Sequence, residues 1–399
     1  MKDEIRIASI GNVDSAKSTT ISVLSNNILD NGRGKARKLV LKHPHEEQTG
    51  RTSCITHHYI ETEKSIVGFI DLAGHEKYLK TTVSGLNGNF IDYAMVTIGV
   101  DRGIIGMTKE HLAIALSLKI PVFLVITKID IAIKDKLDTI KTNLSNIFKH
   151  PIAGKKKTLI VDNNNLEYVV NNFTKDWEYV PVFMVSNVTG DGISNLRNFV
   201  YNLKRYKHIG DNTDNNVVFK VDDKYRIKGI GIVLSGIVQD GAINLNDKLS
   251  FGPFNGKYKE VIIRSIHDNF QNNVSCINAG QGGCINIKSL NKKDTIDYKK
   301  IKQGRIITKI PQSYEFFDAA ITILHHPTTI KKNYEPVIHC GSVRQSAKIC
   351  NMDKELARTG DTAVVTFKFM FRPEFIEKDM KIVFRDGRTK GIGKVLRVH

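Results

Sequence analysis

Residues 5–20 decide the fold, and they read Ile-Arg-Ile-Ala-Ser-Ile-Gly-Asn-Val-Asp-Ser-Ala-Lys-Ser-Thr-Thr. The apolar residues between Ile5 and Ile10 predict a short buried strand, Gly11 begins a turn, and helical spacing follows Lys17. A strand, a turn and a helix in this order are the context of a phosphate-binding loop, in which backbone N–H groups and the helix N-terminus bind phosphate. Ala16 departs from the pattern G-x-x-x-x-G-K-[ST], which has glycine there. The loop alone therefore leaves an ordinary strand-to-helix turn open as the alternative.

Length and charge bound the class of protein. The chain has 399 residues, which is too long for one compact domain, so we expect two or three. Its formal net charge of +18 favours a polyanionic partner, with nucleic acid as the first expectation and an anionic membrane surface as the second. A basic protein that is merely soluble remains the alternative.

The cysteine spacing and the hydropathy of the chain indicate its cellular compartment. The five cysteines form no C-x-x-C pair, so neither a disulfide framework nor a zinc cluster is supported. The charged N-terminus is unlike a signal peptide, and no uncharged apolar run approaches the ~18–20 residues of a membrane span. We expect a cytoplasmic protein in a reducing compartment, with no membrane partner.

A second motif follows a predicted hairpin. Two strands at 55–60 and 65–70 lead directly into Asp71-Leu72-Ala73-Gly74-His75. A D-x-x-G at a strand end places a carboxylate near a phosphate-bound Mg²⁺ and a glycine N–H near the γ-phosphate. The polar, glycine-containing stretch 31–38, between the loop helix and this hairpin, reads instead as a mobile segment.

Two further motifs end predicted strands. Thr127-Lys128-Ile129-Asp130 follows an apolar strand, and Asp130 would accept two hydrogen bonds from the N1–H and 2-amino group of guanine. Adenine lacks both donors, so a carboxylate there rejects it. Ser186 ends the last strand, and a helix from Ile193 to Tyr201 closes the unit.

Four motifs thus stand at strand ends in one order, where open α/β sheets bind their ligands. The order predicts a GTP-binding domain, with a P-loop NTPase that reads adenine or no base as the alternative. The predicted nucleotide-binding residues are Gly11, Asn12, Val13, Asp14, Ser15, Ala16, Lys17, Ser18, Thr19, Asp71, Gly74, Thr127, Lys128, Asp130, Ser186, Asn187 and Val188.

The second half of the chain has a different pattern. From residue 217 onward, short strands alternate with turn signals such as Asp240-Gly241 and Asn255-Gly256, which predicts all-β barrels. The predicted fold is an α/β P-loop GTPase domain at 1–208, followed by β-barrels at 209–310 and 311–399.

These motifs carry a family resemblance. Gly11-Asn12-Val13-Asp14-Ser15-Ala16-Lys17-Ser18 and Asp71-Leu72-Ala73-Gly74-His75 resemble the translational GTPases of the elongation factor Tu superfamily. Within that superfamily, Leu29-Asp30-Asn31-Gly32-Arg33-Gly34 and Val337-Ile338-His339-Cys340-Gly341-Ser342 look like the eukaryotic GTP-binding protein 1 and 2 family. The resemblance covers nearly the whole chain.

The resemblance implies roles for individual residues. Lys17 and His75 would act in hydrolysis, with His75 orienting the attacking water. Thr52 would close over the γ-phosphate and bind Mg²⁺ together with Ser18 and Asp71, although Ser53 and Thr56 stay open as alternatives to Thr52. Asp14 would help to hold a monovalent cation.

For the whole protein, the resemblance implies a monomeric GTPase that binds GTP or GDP with Mg²⁺ and uses the switch to bind aminoacyl-tRNA and the ribosome. Elongation, ribosome rescue and mRNA surveillance are the processes it implies. Three alternatives stay open: an RNA-binding scaffold with weak or lost GTPase activity, a tRNA delivery factor of ordinary rate, and a GTPase that regulates a metabolic enzyme.

Overall fold

The computed structural model describes residues 2–41, 55–75, 78, 82, 85–86, 90–149, 153–206, 216–291, 295–341, 343–386 and 389–399. The chain divides into two compact units, of which one comprises residues 1–86 and 91–207 and the other residues 87–90 and 208–399. No helix within the described ranges has both the length and the apolar character that crossing a membrane requires.

The first unit contains a seven-stranded sheet with the order β2-β3-β1-β4-β5-β7-β6. All neighbouring strands are parallel except β2 and β3, which form the predicted hairpin. The strands are β1 (Asp3–Gly11), β2 (Thr56–Glu61), β3 (Ser65–Asp71), β4 (Tyr93–Gly99), β5 (Val122–Thr127), β6 (Lys157–Ile160) and β7 (Tyr179–Met184). Every residue of β4 and β5 is buried, as expected for central strands that are covered on both faces.

Five helices accompany the sheet in the described part of this unit. They are α1 (Lys17–Asn26), α2 (Gly106–Ser117), α3 (Lys134–Lys149), α4 (Leu166–Asp176) and α5 (Ile193–Tyr201). One side of the core is an aromatic cluster in which Phe199 lies 4.9 Å from Phe183 and 5.2 Å from Phe123, measured between ring centroids. Helix α5 has the predicted bounds.

The stretch 31–38 was predicted to be a mobile segment, and this prediction is wrong. Ala36 is fully buried in the core, and its carbonyl oxygen accepts a hydrogen bond of 2.6 Å from the Ser22 hydroxyl of α1. A 3₁₀ turn follows at Arg37–Leu39. Composition was misleading here because one small apolar residue anchors an otherwise polar loop.

The second unit contains two closed six-stranded barrels, which confirms the predicted fold class. The first barrel has the order β11-β12-β14-β9-β8-β15, and the second has the order β16-β19-β18-β17-β20-β21. The first uses β8 (Val218–Ile227), β9 (Gly231–Asp240), β11 (Lys248–Phe254), β12 (Lys257–Asp268), β14 (Gly282–Ser289) and β15 (Ile306–Thr308), and β10 (Ala242–Asn244) pairs with β13 (Cys276–Asn278) beside it. The second uses β16 (Phe316–His325), β17 (Val337–Cys340), β18 (Val343–Met352), β19 (Thr362–Phe369), β20 (Lys381–Asp386) and β21 (Thr389–Val398).

Each barrel encloses its own apolar core, and polar groups join the two barrels. Glu374 of the second barrel forms ion pairs with Arg372 at 2.7 Å and with Arg305 of the first barrel at 3.7 Å. Val218, Ile306 and Phe375 form a small buried cluster between the barrels.

Candidate nucleotide-binding site

The predicted phosphate loop follows β1 and is shaped by close packing. Gly11 has φ 145°, and a Cβ on it would stand 2.3 Å from the carbonyl oxygen of Thr97 in β4, so only glycine fits there. The hydroxyl of Ser15 then donates to the Asn12 carbonyl oxygen at 2.8 Å, which closes the loop on itself.

Ala16 occupies a position that favours glycine. It is the residue before α1 and has φ 65° and ψ 28°, in the left-handed region. An L-residue with a Cβ pays roughly 1–2 kcal/mol for this conformation, whereas glycine adopts it without strain. The departure seen in the sequence is therefore a source of local strain in a loop that keeps its phosphate-binding form.

Lys17 is held inside the loop. Its side chain is 7% exposed, and its Nζ donates to the carbonyl oxygens of Asn12 at 2.7 Å and Gly11 at 3.3 Å. Burial lowers the pKa of Lys17, and the charges of Asp71 and Asp14 oppose this shift. Gly74 of the second motif lies directly against the ammonium group, because a Cβ on Gly74 would be 2.6 Å from Nζ.

The structure brings Ser18 and Asp71, two predicted Mg²⁺ ligands, together. Asp71 ends β3 and is 1% exposed, and its Oδ2 accepts from the Ser18 hydroxyl at 2.5 Å. A hydroxyl and a carboxylate oxygen at a phosphate loop are ligands of the type that Mg²⁺ takes, so this donor set fits the ion.

The structure describes only some of the predicted switch residues. Thr52 and Ser53 lie outside the described residues, and Thr56, the other alternative, is buried at the start of β2. His75 is exposed, and its ring meets that of Tyr78 edge-on with 6.2 Å between centroids.

The third motif joins the phosphate loop to the base side of the site. Thr127 ends β5 fully buried, and its hydroxyl donates to the Ser15 carbonyl oxygen at 3.0 Å. Lys128 takes the left-handed conformation with φ 63°, and its Nζ lies 2.8 Å from Asp101 Oδ2. Asp130 follows, exposed in a short 3₁₀ turn.

Ser186 and its neighbours form the fourth part. The Ser186 hydroxyl oxygen accepts from the N–H groups of Val188 at 3.2 Å and Thr189 at 3.1 Å. The Asn187 side chain donates to Thr20 of α1 at 3.0 Å. Ser186 therefore shapes the turn from a buried position, while its neighbours face the site.

These elements enclose one cavity of about 490 Å³. Residues from three predicted motifs line it, namely Asp14, Ala16, Thr19, Lys128, Asp130, Asn187 and Val188. The remaining lining comes from residues that the sequence did not identify as site residues: Asp30, Gly32, Arg33, Gly34, Arg37 and Ile131. The turn signal Asp30-Asn31-Gly32 was visible in the sequence, but nothing local indicated that this turn folds back over the site.

His111 is a second residue that the sequence left unidentified. It lies fully buried in α2, close enough to the phosphate loop for the charge of Lys17 and the Gly11 backbone to act on it. Burial, with a smaller contribution from Lys17, lowers the pKa of His111 to about 4, so the imidazole is neutral at physiological pH.

Asp14 lies at the rim of the cavity. Its carboxylate is 3.3 Å from Arg102 Nη2, in a pair of which both side chains are largely exposed. The position is compatible with the predicted cation site and does not identify an ion.

Comparison with known proteins agrees with this geometry. The sequence model of the family described as "Elongation factor Tu GTP binding domain" matches residues 2–205. GTP-binding protein 1 of Xenopus laevis is 37% identical over 99% of this chain and 63% of its own length, and GTP-binding protein 2 of Homo sapiens is 32% identical over 99% of this chain and 69% of its own length.

Among solved structures, a bacterial selenocysteine-specific elongation factor superposes with a TM-score of 0.76. It is 22% identical in sequence, and the match covers 100% of this chain and 59% of that one. At that identity, the match supports the shared three-part fold.

The fold is that of the elongation factor Tu class, in which a P-loop domain with a nucleotide-binding site precedes two β-barrels. The chain belongs to the elongation factor Tu GTP-binding family, and its predicted likeness to GTP-binding proteins 1 and 2 is confirmed. It spans about two thirds of the length of those two relatives.

Proposed function

We propose that this chain binds and hydrolyses GTP with Mg²⁺ and uses the nucleotide state to control binding of tRNA and the ribosome. The observation that carries the proposal is the convergence of all four predicted motifs on one sheet edge, with three of them lining a single cavity. The same three segments, 1–208, 209–310 and 311–399, are the proposed functional parts.

On the phosphate side, the loop from Gly11 to Thr19 holds the phosphates. Lys17 would exchange its two carbonyl partners for the β- and γ-phosphates, whose negative charge offsets the cost of burying the ammonium group. Ser18 and Asp71, with Thr52 from the switch, would hold Mg²⁺, which neutralises charge that develops on the phosphates.

On the base side, Asp130 reads guanine and Lys128 lies along the ring. Thr127 does not reach the base in this proposal, because its hydroxyl already donates to Ser15. It fixes the distance between the base-reading turn and the phosphate loop, and Ser186 fixes the turn that carries Asn187 and Val188.

Hydrolysis needs an oriented water molecule. His75 follows the Asp71–Gly74 motif, is exposed, and would orient the attacking water once GTP and the ribosome order the switch segments. Its contribution is positioning and electrostatics more than basicity.

The two barrels are the proposed RNA-binding part. The formal net charge of +18 suits a polyanionic partner. Elongation, ribosome rescue and mRNA surveillance are all compatible with this partner class.

A scaffold with weak GTPase activity is the second candidate, and one observation favours it. The left-handed Ala16 strains the loop that must cradle the phosphates, which lowers nucleotide affinity in proportion to the strain. Such a scaffold would bind RNA and show no hydrolysis that depends on the ribosome.

The deciding measurement is GTP turnover with and without saturating ribosomes. We expect ribosomes to stimulate the wild type and His75→Ala to lose most of that stimulation, by 10²-fold or more. The control is Glu167→Ala, which changes an exposed side chain in the first turn of α4, outside the cavity and outside the two barrels. No stimulation of the wild type, or equal stimulation of His75→Ala, would leave the scaffold as the function.

A further inference from the structure

Residues 30–37, which include most of the stretch that was predicted to be mobile, form one wall of the nucleotide cavity. We define residues 30–37 as the Asp30 loop. The Asp30 carboxylate organises it by accepting from three backbone N–H groups, those of Gly32 at 3.0 Å, Gly34 at 3.2 Å and Ala36 at 2.8 Å. A carboxylate that binds three N–H groups within its own loop fixes the loop's conformation.

The Asp30 loop is also anchored at both ends. The Asp30 N–H donates to the Asn187 carbonyl oxygen at 2.8 Å, which ties the loop to the base-side turn. At the other end, Ala36 is fully buried, and its carbonyl oxygen accepts from Ser22. The wall is therefore held between α1 and the Ser186 turn.

Two arginines of this wall line the cavity. Arg33 and Arg37 face the same space as Ala16 and Thr19 of the phosphate loop. The Arg37 guanidinium lies across the backbone of Gly34, where a Cβ would come within 2.5 Å of Nε. Gly34 also has φ 85°, so glycine is needed both for the turn and for the passage of the arginine.

The cavity-lining residues of this wall carry a net positive charge, because they comprise two arginines and one carboxylate, that of Asp30. Among the ion pairs found in the described residues, none involves Arg33 or Arg37. The carboxylate of the loop is taken by backbone N–H groups, and Asp14 pairs with Arg102. The cavity thus presents two guanidinium groups whose planar donors suit an oxyanion, above all a phosphoryl group.

We propose that Arg33 and Arg37 bind a phosphoryl group carried by the ribose of the guanine nucleotide. This inference rests on the proposed function, since the nucleotide must first occupy the cavity. Two positions on the ribose carry such a group, the 5′ oxygen of ordinary GDP and GTP (the α-phosphate) and the 3′ oxygen of a nucleotide phosphorylated there. Either source would compensate in affinity for the strain at Ala16.

The test is competition against a fluorescent GDP analogue by guanosine, 5′-GMP, 3′-GMP and GDP. The variants are Arg33→Gln/Arg37→Gln and the matched control Lys35→Gln/Lys38→Gln. The control removes two exposed charges, one within the Asp30 loop and one directly after it, that do not line the cavity. Arg33→Lys/Arg37→Lys keeps the charge and removes the planar donors.

We expect the arginine variant to bind guanosine as the wild type does and to bind one monophosphate about 10–100-fold more weakly, which corresponds to the loss of one or two charge-assisted hydrogen bonds. Weakening of 5′-GMP and GDP identifies the α-phosphate, and weakening of 3′-GMP identifies the 3′ position. The lysine control should match the wild type, and the Arg→Lys variant should fall between.

Unchanged affinity for both monophosphates in the arginine variant would overturn the proposal while leaving GTP binding intact. Absence of GDP binding by the wild type would overturn this proposal together with the proposed function. Thermal unfolding of each variant separates these outcomes from misfolding, because Arg33 is exposed and Arg37 is only half-buried.

Discussion

The nucleotide-binding unit and the barrel unit bury polar side chains in different surroundings. In the first unit, Lys17, Asp71 and Thr127 are buried in and beside the phosphate loop, whose residues Asp14, Ala16 and Thr19 line a cavity. In the second barrel, Gln345 is equally buried, but its Oε1 accepts from the N–H groups of Phe371 and Arg372, both at 3.0 Å. Buried polarity therefore marks a binding site only where the groups converge on open space.

The largest expected difference between the regions is between Asp130→Ala and Gln345→Ala. Removing Asp130 should weaken GDP binding by about 10²-fold or more, because both guanine donors lose their acceptor in the cavity. The free energy of unfolding of the Asp130→Ala variant should hardly differ from that of the wild type, since Asp130 is exposed. Fluorescence titration with GDP measures the first quantity, and urea unfolding measures the second.

Gln345→Ala should behave in the reverse manner. It leaves two part-buried backbone N–H groups of the 371–372 turn without their acceptor, which costs about 1–2 kcal/mol of stability. GDP affinity should match the wild type. If both variants lost affinity to the same extent, the two regions would not be separable in this way.

The second expected difference between the two units is how their stability depends on pH. In the nucleotide-binding unit, the group concerned is His111. Its pKa is about 4 in the folded protein against 6.5 in the unfolded chain, so between these values the unfolded state binds the extra proton. The contribution of His111 to the free energy of unfolding should therefore fall by up to about 3 kcal/mol as the pH drops from 6.5 to 4. Glu377 contributes with the opposite sign over an overlapping range, so the quantity to compare is the difference between each variant and the wild type.

His111→Gln should flatten this acid slope. Urea midpoints at several pH values between 4 and 7 measure it, with the wild type as reference. An unchanged slope in the variant would mean that His111 is protonated inside the folded protein.

Glu377 of the second barrel should make the free energy of unfolding depend on pH with the opposite sign. Burial first, and the charge of Asp240 second, raise the pKa of Glu377 to about 7 from 4.5. The folded state then keeps a proton that the unfolded state releases, so this contribution to stability is present below pH 4.5 and is lost as the pH rises through 7.

Glu377→Gln should remove the loss between pH 4.5 and 7 while leaving the acid slope of His111 intact. Unfolding of the double variant with His111→Gln tests whether the two slopes are independent. A Glu377→Gln protein that still lost stability over this range would assign the slope to other groups.

The same contrast explains how much the sequence could predict. The four motifs and both barrels followed from local patterns, because strand alternation and strand-end residues are short-range signals. The Asp30 loop and His111 did not follow, because their positions depend on tertiary contacts. Ala36 is drawn into the core by Ser22, and His111 lies one residue from a charged Glu110 in an ordinary helix. The domain bounds and the roles of individual site residues stay predictions.

Ala16→Gly tests whether the Cβ of Ala16 strains the backbone of the phosphate loop. We expect a gain of about 1 kcal/mol in stability, in nucleotide affinity, or shared between the two, because glycine adopts the left-handed conformation without strain. Thermal unfolding with and without GDP separates the two effects.

Ala36→Gly is the matched control for this substitution. Ala36 has φ −63° and is fully buried, so losing its methyl group should destabilise the protein and not stabilise it. A gain of stability in both variants would remove backbone strain as the explanation for Ala16.

The smallest effects concern two exposed ion pairs, one in each unit. Arg102→Gln breaks the pair with Asp14, and Lys394→Gln breaks the pair of 2.8 Å with Asp379 in the second barrel. Each change should alter the unfolding free energy by less than about 0.5 kcal/mol, because exposed pairs are screened by solvent.

Only one of these pairs borders the nucleotide cavity, so the two variants should differ in their response to salt. Freeing the Asp14 carboxylate from Arg102 would make it a better ligand for the monovalent cation that the sequence predicts near it. GDP affinity of Arg102→Gln should therefore depend more strongly on K⁺, compared at equal ionic strength with a bulky organic cation, than that of Lys394→Gln or the wild type. Equal K⁺ dependence in all three proteins would exclude Asp14 as a cation ligand and leave its pair with Arg102 as a surface contact with no part in nucleotide binding.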